Sequence, residues 1–98
     1  MASYSLSQLA AEDIRRLYRH GIEKFGLAQA DGYLDGLFSR FDAIAESPAL
    51  YPRVDHIRPG YRRSVYGVHS IYYRAEGTGV EIMRILGRED PLVLAGLE

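Results

Sequence analysis

The stretch from Ile22 to Pro48 reads IEKFGLAQADGYLDGLFSRFDAIAESP, and its reading decides the fold. After Gly26, the residues Ala30, Leu34, Leu37, Phe38, Phe41, Ile44 and Ala45 recur at the spacing of about 3.6 that marks one face of a helix. This period predicts a helix from about Leu27 to Ser47. Ser47-Pro48 ends it, because the residue before a proline is driven out of the helical region. On the other side of Gly26, the apolar residues Ile14, Leu17, Tyr18 and Phe25 form a second helical stripe, with Arg15, Arg16, Arg19 and Glu23 mostly opposite. That predicts a helix from Gln8 to Phe25. Gly26 can take the left-handed conformation that stops it. Two helices joined by one or two residues fold back on each other as an antiparallel hairpin, here spanning about residues 8–47.

Outward from the hairpin the texture changes. Tyr4-Ser5-Leu6 is a short extended segment, and Ser7 is placed to cap the first helix by accepting from an unpaired backbone N–H. Glu12 and Asp13 lie near the positive end of that helix. Past Pro48, the loop Ala49–Gly60 is punctuated by Pro52, Pro59 and Gly60. Three segments rich in Tyr, Val and Ile then predict strands at Tyr61–Tyr66, Val68–Ala75 and Val80–Leu86. Gly67 separates the first two, and Gly77-Thr78-Gly79 is a hairpin turn between the second and third. The order is a short N-terminal strand, a helical hairpin, then an antiparallel meander over about residues 61–86. It predicts one α+β domain across residues 1–98 with the helices packed on one face of the sheet. An apolar tail, residues 87–98, closes the chain.

Bulk properties narrow the chemistry. Of 98 residues, 47% are apolar and 26% charged, which is ordinary composition for a folded domain. Cysteine is absent, and that excludes disulfides, thiolate zinc sites and thiol catalysis together. Met1-Ala2-Ser3-Tyr4 shows no basic leader before an apolar run, and no stretch is long enough to span a membrane. The expectation is a soluble cytoplasmic protein without membrane contact. A net charge of −1 argues against a general nucleic-acid coat. The distribution is uneven, however: Arg53, Arg58, Arg62, Arg63 and Arg74 face the single acid Asp55 in that stretch. The only lysine is Lys24. Arginine presents a planar fork suited to anions, although a genome bias toward arginine yields the same count.

Several local patterns, in order, resemble the ParE branch of the RelE/ParE toxins. Tyr4-Ser5-Leu6-Ser7 with Asp13-Ile14 is similar to the family's opening strand and first helix. Phe25-Gly26-Leu27-Ala28-Gln29-Ala30 resembles its inter-helix turn, and Ile44-Ala45-Glu46-Ser47-Pro48 the end of its second helix. In the sheet, Ile57-Arg58-Pro59-Gly60-Tyr61-Arg62, His69-Ser70-Ile71-Tyr72-Tyr73-Arg74 and Val80-Glu81-Ile82-Met83-Arg84-Ile85-Leu86 resemble three successive segments of such a toxin. The likeness implies the toxin of a type II toxin–antitoxin pair. ParE-like members poison DNA gyrase by trapping it on cleaved DNA. RelE-like members of the same fold cut messenger RNA in the ribosome, so the fold alone does not choose between them. A chain of this fold that has lost toxicity and survives as a binding partner is a third reading.

The residues weigh on that choice. Cleaving RNA through its 2′-hydroxyl needs a base, cations for the developing phosphorane charge and an acid for the leaving oxygen. The nuclease reading would rest on Arg62, His69 and Arg88. The loop before Tyr61 carries no paired lysines, and Leu92-Val93-Leu94 stands where that branch uses a tyrosine. The catalytic set is incomplete, so the expectation is a binding toxin rather than an enzyme, with no cofactor and no metal. His69 has the titration range of a general base, yet a histidine hydrogen-bonded within the sheet fits the same position. His20 and His56 have no partner at metal-ligand spacing and are expected on the surface. Arg62 and Arg63 point to opposite faces of a strand, so at most one can face the helices. Arg84, among Val80, Ile82 and Ile85, is expected to form a structural salt bridge. Tyr61, Tyr66, Tyr72 and Tyr73 resemble a base-stacking surface, but no RNA-binding motif accompanies them and no sequence-specific nucleic-acid contact is expected. By analogy with the family, Arg62, Arg88, Leu92, Leu94 and Leu97 are expected to meet the target. A ParD-like antitoxin is expected to cover Leu9, Arg16 and Tyr18 on the first helix and Tyr61 and Arg63 at the sheet, forming a hetero-oligomer.

Overall fold

Ser7 begins the first helix in the way its position predicts: its Oγ accepts from the Ala10 N–H at 3.0 Å and donates to the Met83 carbonyl at 2.8 Å. One hydroxyl thus caps helix α1 (Gln8–Phe25) and ties it to the last strand of the sheet. The computed structural model describes residues 3–87. Around α1 run strand β1 (Tyr4–Leu6), helix α2 (Leu27–Glu46), a 3-10 turn at Pro48–Leu50, and strands β2 (Arg62–Tyr66), β3 (His69–Glu76) and β4 (Gly79–Gly87). Gly26 joins the helices at φ 93°, a conformation that side chains rarely adopt, and its N–H closes α1 on the Ile22 carbonyl.

The sheet order is β1-β4-β3-β2. β2, β3 and β4 form the expected antiparallel meander, whereas β1 lies parallel to β4, pairing Tyr4 with Val80 and Leu6 with Ile82. The first and last described strands are therefore neighbours in one sheet. Register slips once, between Tyr72 and Tyr73, whose partners are Arg84 and Ile82; Met83 is the extra residue of a bulge.

Helices cover one sheet face. There Leu37, Phe41 and Ile44 of α2 pack with Ile71, Tyr73, Val80, Ile82 and Ile85, all fully or almost fully buried. Phe41 meets Tyr4 and Phe38 edge-on at 5.3 and 5.6 Å, pairs that add about 0.5–1.5 kcal/mol each beyond their burial. Arg40 pins the edge strand, donating to the Ser64 Oγ and the Val65 carbonyl, both at 2.8 Å. The other face is partly covered by the segment between Tyr51 and Tyr61. Val54 and Tyr61 close over Tyr72 and Leu86 there, with Ile57 and Met83 alongside.

Two expectations are corrected. Phe25, read as part of the apolar stripe of α1, is 57% exposed, because as the last residue of the helix it lies beyond the sheet that buries Ile14. The first strand of the meander begins at Arg62 rather than Tyr61, whose carbonyl instead accepts from the Val54 N–H at 2.8 Å. Among the described residues, no helix is long and apolar enough to cross a membrane.

Candidate functional site

The register of β2 on β3 sorts the basic residues by face. Arg62, Ser64 and Tyr66 stand opposite Tyr73, Ile71 and His69, and all six belong to the helix-covered face. Arg63 and Val65 belong to the other face, as alternation requires. Arg62 sits at one end of this hairpin, its Nη1 donating to the Tyr51 carbonyl at 2.6 Å. It lines a small cleft with Arg53, Arg74 and Pro48. The cleft is largely neutralised from within. Arg53 pairs with Asp55, and Arg74 with Glu81 and Glu76. Hydrogen bonds to those acids push both guanidinium pKa values up, and the Arg53 pairing holds the Asp55 carboxyl below the usual range. Tyr73 donates to the Pro48 carbonyl at 2.6 Å beside the cleft, and burial pushes its hydroxyl up to about 12.

His69 sits at the opposite end of the same hairpin, four residues along the strand, or roughly 13 Å at the rise of an extended chain. Its Nδ1 lies 2.7 Å from the Tyr33 hydroxyl of α2, which also reaches the Tyr66 carbonyl at 3.0 Å. One hydroxyl proton cannot serve both. When Tyr33 donates to the carbonyl, Nδ1 of His69 carries the hydrogen and donates to Tyr33. Tyr66 returns the contact by donating to the Tyr33 carbonyl at 3.2 Å. Burial raises the Tyr33 pKa. The histidine therefore belongs to a latch between α2 and the β2–β3 turn, and the structure does not bring Arg62 and His69 together for catalysis. Arg88, the third member of that set, lies outside the described residues, as do Leu92, Leu94 and Leu97.

Sequence reasoning missed the carboxylate that, among the described residues, accepts the most hydrogen bonds. Asp13, only 2% exposed, accepts from Arg84 Nε at 2.8 Å and Nη2 at 3.0 Å, from the Ile85 N–H at 3.0 Å, and from Arg16. The structural ion pair expected of Arg84 is thus present, and its hydrogen bond to Asp13 pushes the Arg84 pKa up. The bulge at Met83 stands directly beside it. In the sequence, Asp13 reads as a dipole-compensating acid near a helix start. Nothing local points to a partner 71 residues away.

The five residues assigned to an antitoxin surface do not form one patch. Leu9 and Arg16, seven residues apart, share an exposed face of α1. Tyr18 is turned toward α2, where its hydroxyl donates to Asp31. Tyr61 is a correction: at 6% exposure it is core for the second face, because Val54 folds over it. Arg63 is half-buried, and its N–H donates to the Pro52 carbonyl, so the loop covers that part of the β2 edge. Tyr72 and Tyr73 are likewise buried, which leaves no tyrosine platform for stacked bases. His20 and His56 are exposed as expected. Among the described residues, no group of three or more His, Asp or Glu side chains is gathered to hold a metal.

A second concavity is an apolar groove of about 480 Å³ between the hairpin end of the helices and the β2–β3 turn, walled by Leu17, Tyr18, Phe25, Ala30 and Val68. The described surface thus carries an apolar groove, an exposed face of α1 and a cleft whose Arg53 and Arg74 are paired with acids.

Comparison with known proteins agrees in sequence and in fold. The family model described as the ParE toxin of the type II toxin-antitoxin system parDE matches residues 4–92. Toxin ParE1 of Caulobacter vibrioides is 35% identical over 86 residues, covering 88% of each chain. Toxin ParE1 of Mycobacterium tuberculosis is 33% identical over 84 residues, 85% of this chain and 86% of its own. A solved structure described as the chromosomal ParDE TA system from P. aeruginosa superposes with a TM-score of 0.77 at 21% identity, covering 91% of this chain and 98% of that one. The chain belongs to the ParE toxins of type II toxin–antitoxin systems.

Proposed function

We propose that this ParE toxin arrests growth by binding DNA gyrase and holding it on cleaved DNA, and that a ParD-like antitoxin neutralises it by covering the toxin. Family membership across residues 4–92 is the observation that carries the reading. The geometry supports a binding role: Arg62 and His69, the described members of the nuclease set, stand at opposite ends of a hairpin and are each tied into the fold. Arg62 and Arg88, with Leu92, Leu94 and Leu97, are the proposed target contacts. Leu9 and Arg16 are the strongest remaining candidates for the antitoxin, which would fold its segment along the exposed face of α1.

The test in cells is the kind of arrest. Expressed alone, the chain should stop growth with a DNA-damage response while translation continues at first, and co-expressed antitoxin should relieve it. Early loss of translation with cut messenger RNA would replace this reading with the nuclease one.

A further inference from the structure

The small cleft that Arg53, Arg62 and Arg74 share lies beside Pro48, where β2 begins and β3 nears its end. It stands at the opposite end of the sheet from Gly87, since Arg74 pairs across to Glu81 of β4 and His69 to Gly87. Its volume of about 280 Å³ falls below the roughly 300–1,000 Å³ of sites that enclose drug-sized ligands, so it suits one small group. Its walls bring three guanidinium groups together with Tyr73 and Gly60, and no carboxylate is among the described residues that line it.

The acids stand behind the arginines instead. Asp55 holds Arg53 at 2.7 Å and Glu81 holds Arg74 at 2.9 Å, so these two cations are neutralised in sum yet kept in place at the cleft. The Arg53 and Arg74 side chains are 60% and 46% exposed. Ion pairs that open to water contribute little free energy, so an incoming anion can share the two cations at small cost. Arg62 differs. It is half-buried, its Nη1 donates to the Tyr51 carbonyl at 2.6 Å, and no acid among the described residues pairs with it. That leaves the Nε–Nη2 edge of its fork, an edge that grips an oxyanion through two parallel bonds. The charge of Arg62 is felt on both sides of the cleft. Burial raises the Tyr73 hydroxyl and Arg62 opposes it, while at Asp55 the hydrogen bond from Arg53 lowers the carboxyl and Arg62 adds to the effect.

Three guanidinium groups about one small space present more donors than the two oxygens of a carboxylate can take. A phosphoryl group, with more oxygens on a tetrahedral centre, uses them better. We propose that the cleft of Arg53, Arg62 and Arg74 seats one phosphate of a DNA backbone, held without cleavage and without reading sequence. The proposal rests on the gyrase reading for the source of that DNA, and it gives the toxin a grip on the nucleic acid as well as on the enzyme. A single phosphate contact needs no basic coat, so it is compatible with a net charge of −1.

The test uses the full chain free of antitoxin and needs no gyrase, so its failure is separable from a failure of the gyrase reading. At constant ionic strength, replacing chloride by inorganic phosphate should shift the Arg62 Nε–Hε resonance saturably, and replacing it by acetate should not. Arg62→Gln should weaken phosphate binding by about tenfold or more, as the loss of a charge-assisted contact requires. Arg19→Gln removes the same charge from an exposed position on α1 and should change binding by less than about twofold, because salt screens distant charges. Should Arg62→Gln fail to fold for want of the tie to Tyr51, Arg74→Gln alters an exposed side chain and should weaken binding in the same direction. A short DNA duplex should bind as well, and Arg62→Gln should lower the slope of log affinity against log salt by about 1. No saturable shift, an equal response to acetate, or affinity unchanged by both variants would overturn the proposal. So would a duplex affinity indifferent to Arg62 beside intact phosphate binding, which would make the ligand a soluble phosphate instead of DNA.

Discussion

At the scale of single residues, Asp13 and Arg84 form an ion pair that the fold encloses. Arg84, its side chain only 11% exposed, meets a carboxylate that is almost wholly buried. Asp13→Ala removes the anion and leaves that guanidinium and the Ile85 N–H without their acceptor. The expected loss is about 3–5 kcal/mol in urea unfolding, a large share of the roughly 5–15 kcal/mol that holds a small domain together. A loss below about 1 kcal/mol would show that water or Glu12 replaces the pair. Neither partner can be matched from sequence, since each has ordinary neighbours and their pairing depends on how α1 lies on β4. Tyr73 contributes to the alkaline limb of stability. Its folded pKa of about 12, against the ordinary tyrosine value of 10.0, means that the unfolded chain ionises first as pH rises. The contribution of Tyr73 is complete below about pH 10 and is lost as pH climbs toward 12. Tyr4, Tyr18 and Tyr33 shift in the same direction, so Tyr73→Phe should flatten that fall only in part, as read from melting temperature against pH.

At the scale of elements, α2 meets the β2–β3 turn through two tyrosines that need two glycines. A Cβ on Gly36 would stand 1.9 Å from the Tyr66 hydroxyl, and one on Gly67 2.5 Å from that of Tyr33. Gly36→Ala should therefore destabilise by about 1–3 kcal/mol through displacement of Tyr66, despite the gain in helix propensity. Gly32→Ala, with open space around it, should stabilise by up to about 1 kcal/mol. Thermal melts of the two variants moving in the same direction would contradict the latch. The elements themselves are largely legible in the sequence. The helical period about Gly26, the Tyr- and Val-rich strands and the Gly77-Thr78-Gly79 turn mark them locally. The pairing of β1 is not legible, because three residues carry too little pattern to announce a parallel partner that begins at Gly79. Tyr61 escapes for a related reason. A strand pattern tells which residues alternate, and not that Val54 will fold over one of them.

At the scale of the whole molecule, the sheet and hairpin form a platform whose last described strand ends at Gly87. The family is legible in the order of motifs along the chain, whereas the candidate site is legible only in part. Arg62 and His69 carry suitable chemistry as residue types, and only the β2–β3 register reveals that they are a strand's length apart. Deleting the residues after Asp90 should abolish growth arrest while changing antitoxin affinity by less than about tenfold, or 1.4 kcal/mol. Retained toxicity in the truncated chain would remove the tail from the target contact. The central claim, that this toxin acts by binding gyrase, is tested most directly with purified gyrase, supercoiled DNA and toxin freed of its antitoxin. The expected result is that cleaved DNA accumulates with toxin concentration and that added antitoxin reverses it. Unimpaired supercoiling without cleavage, at a toxin concentration that still arrests growth, would contradict it.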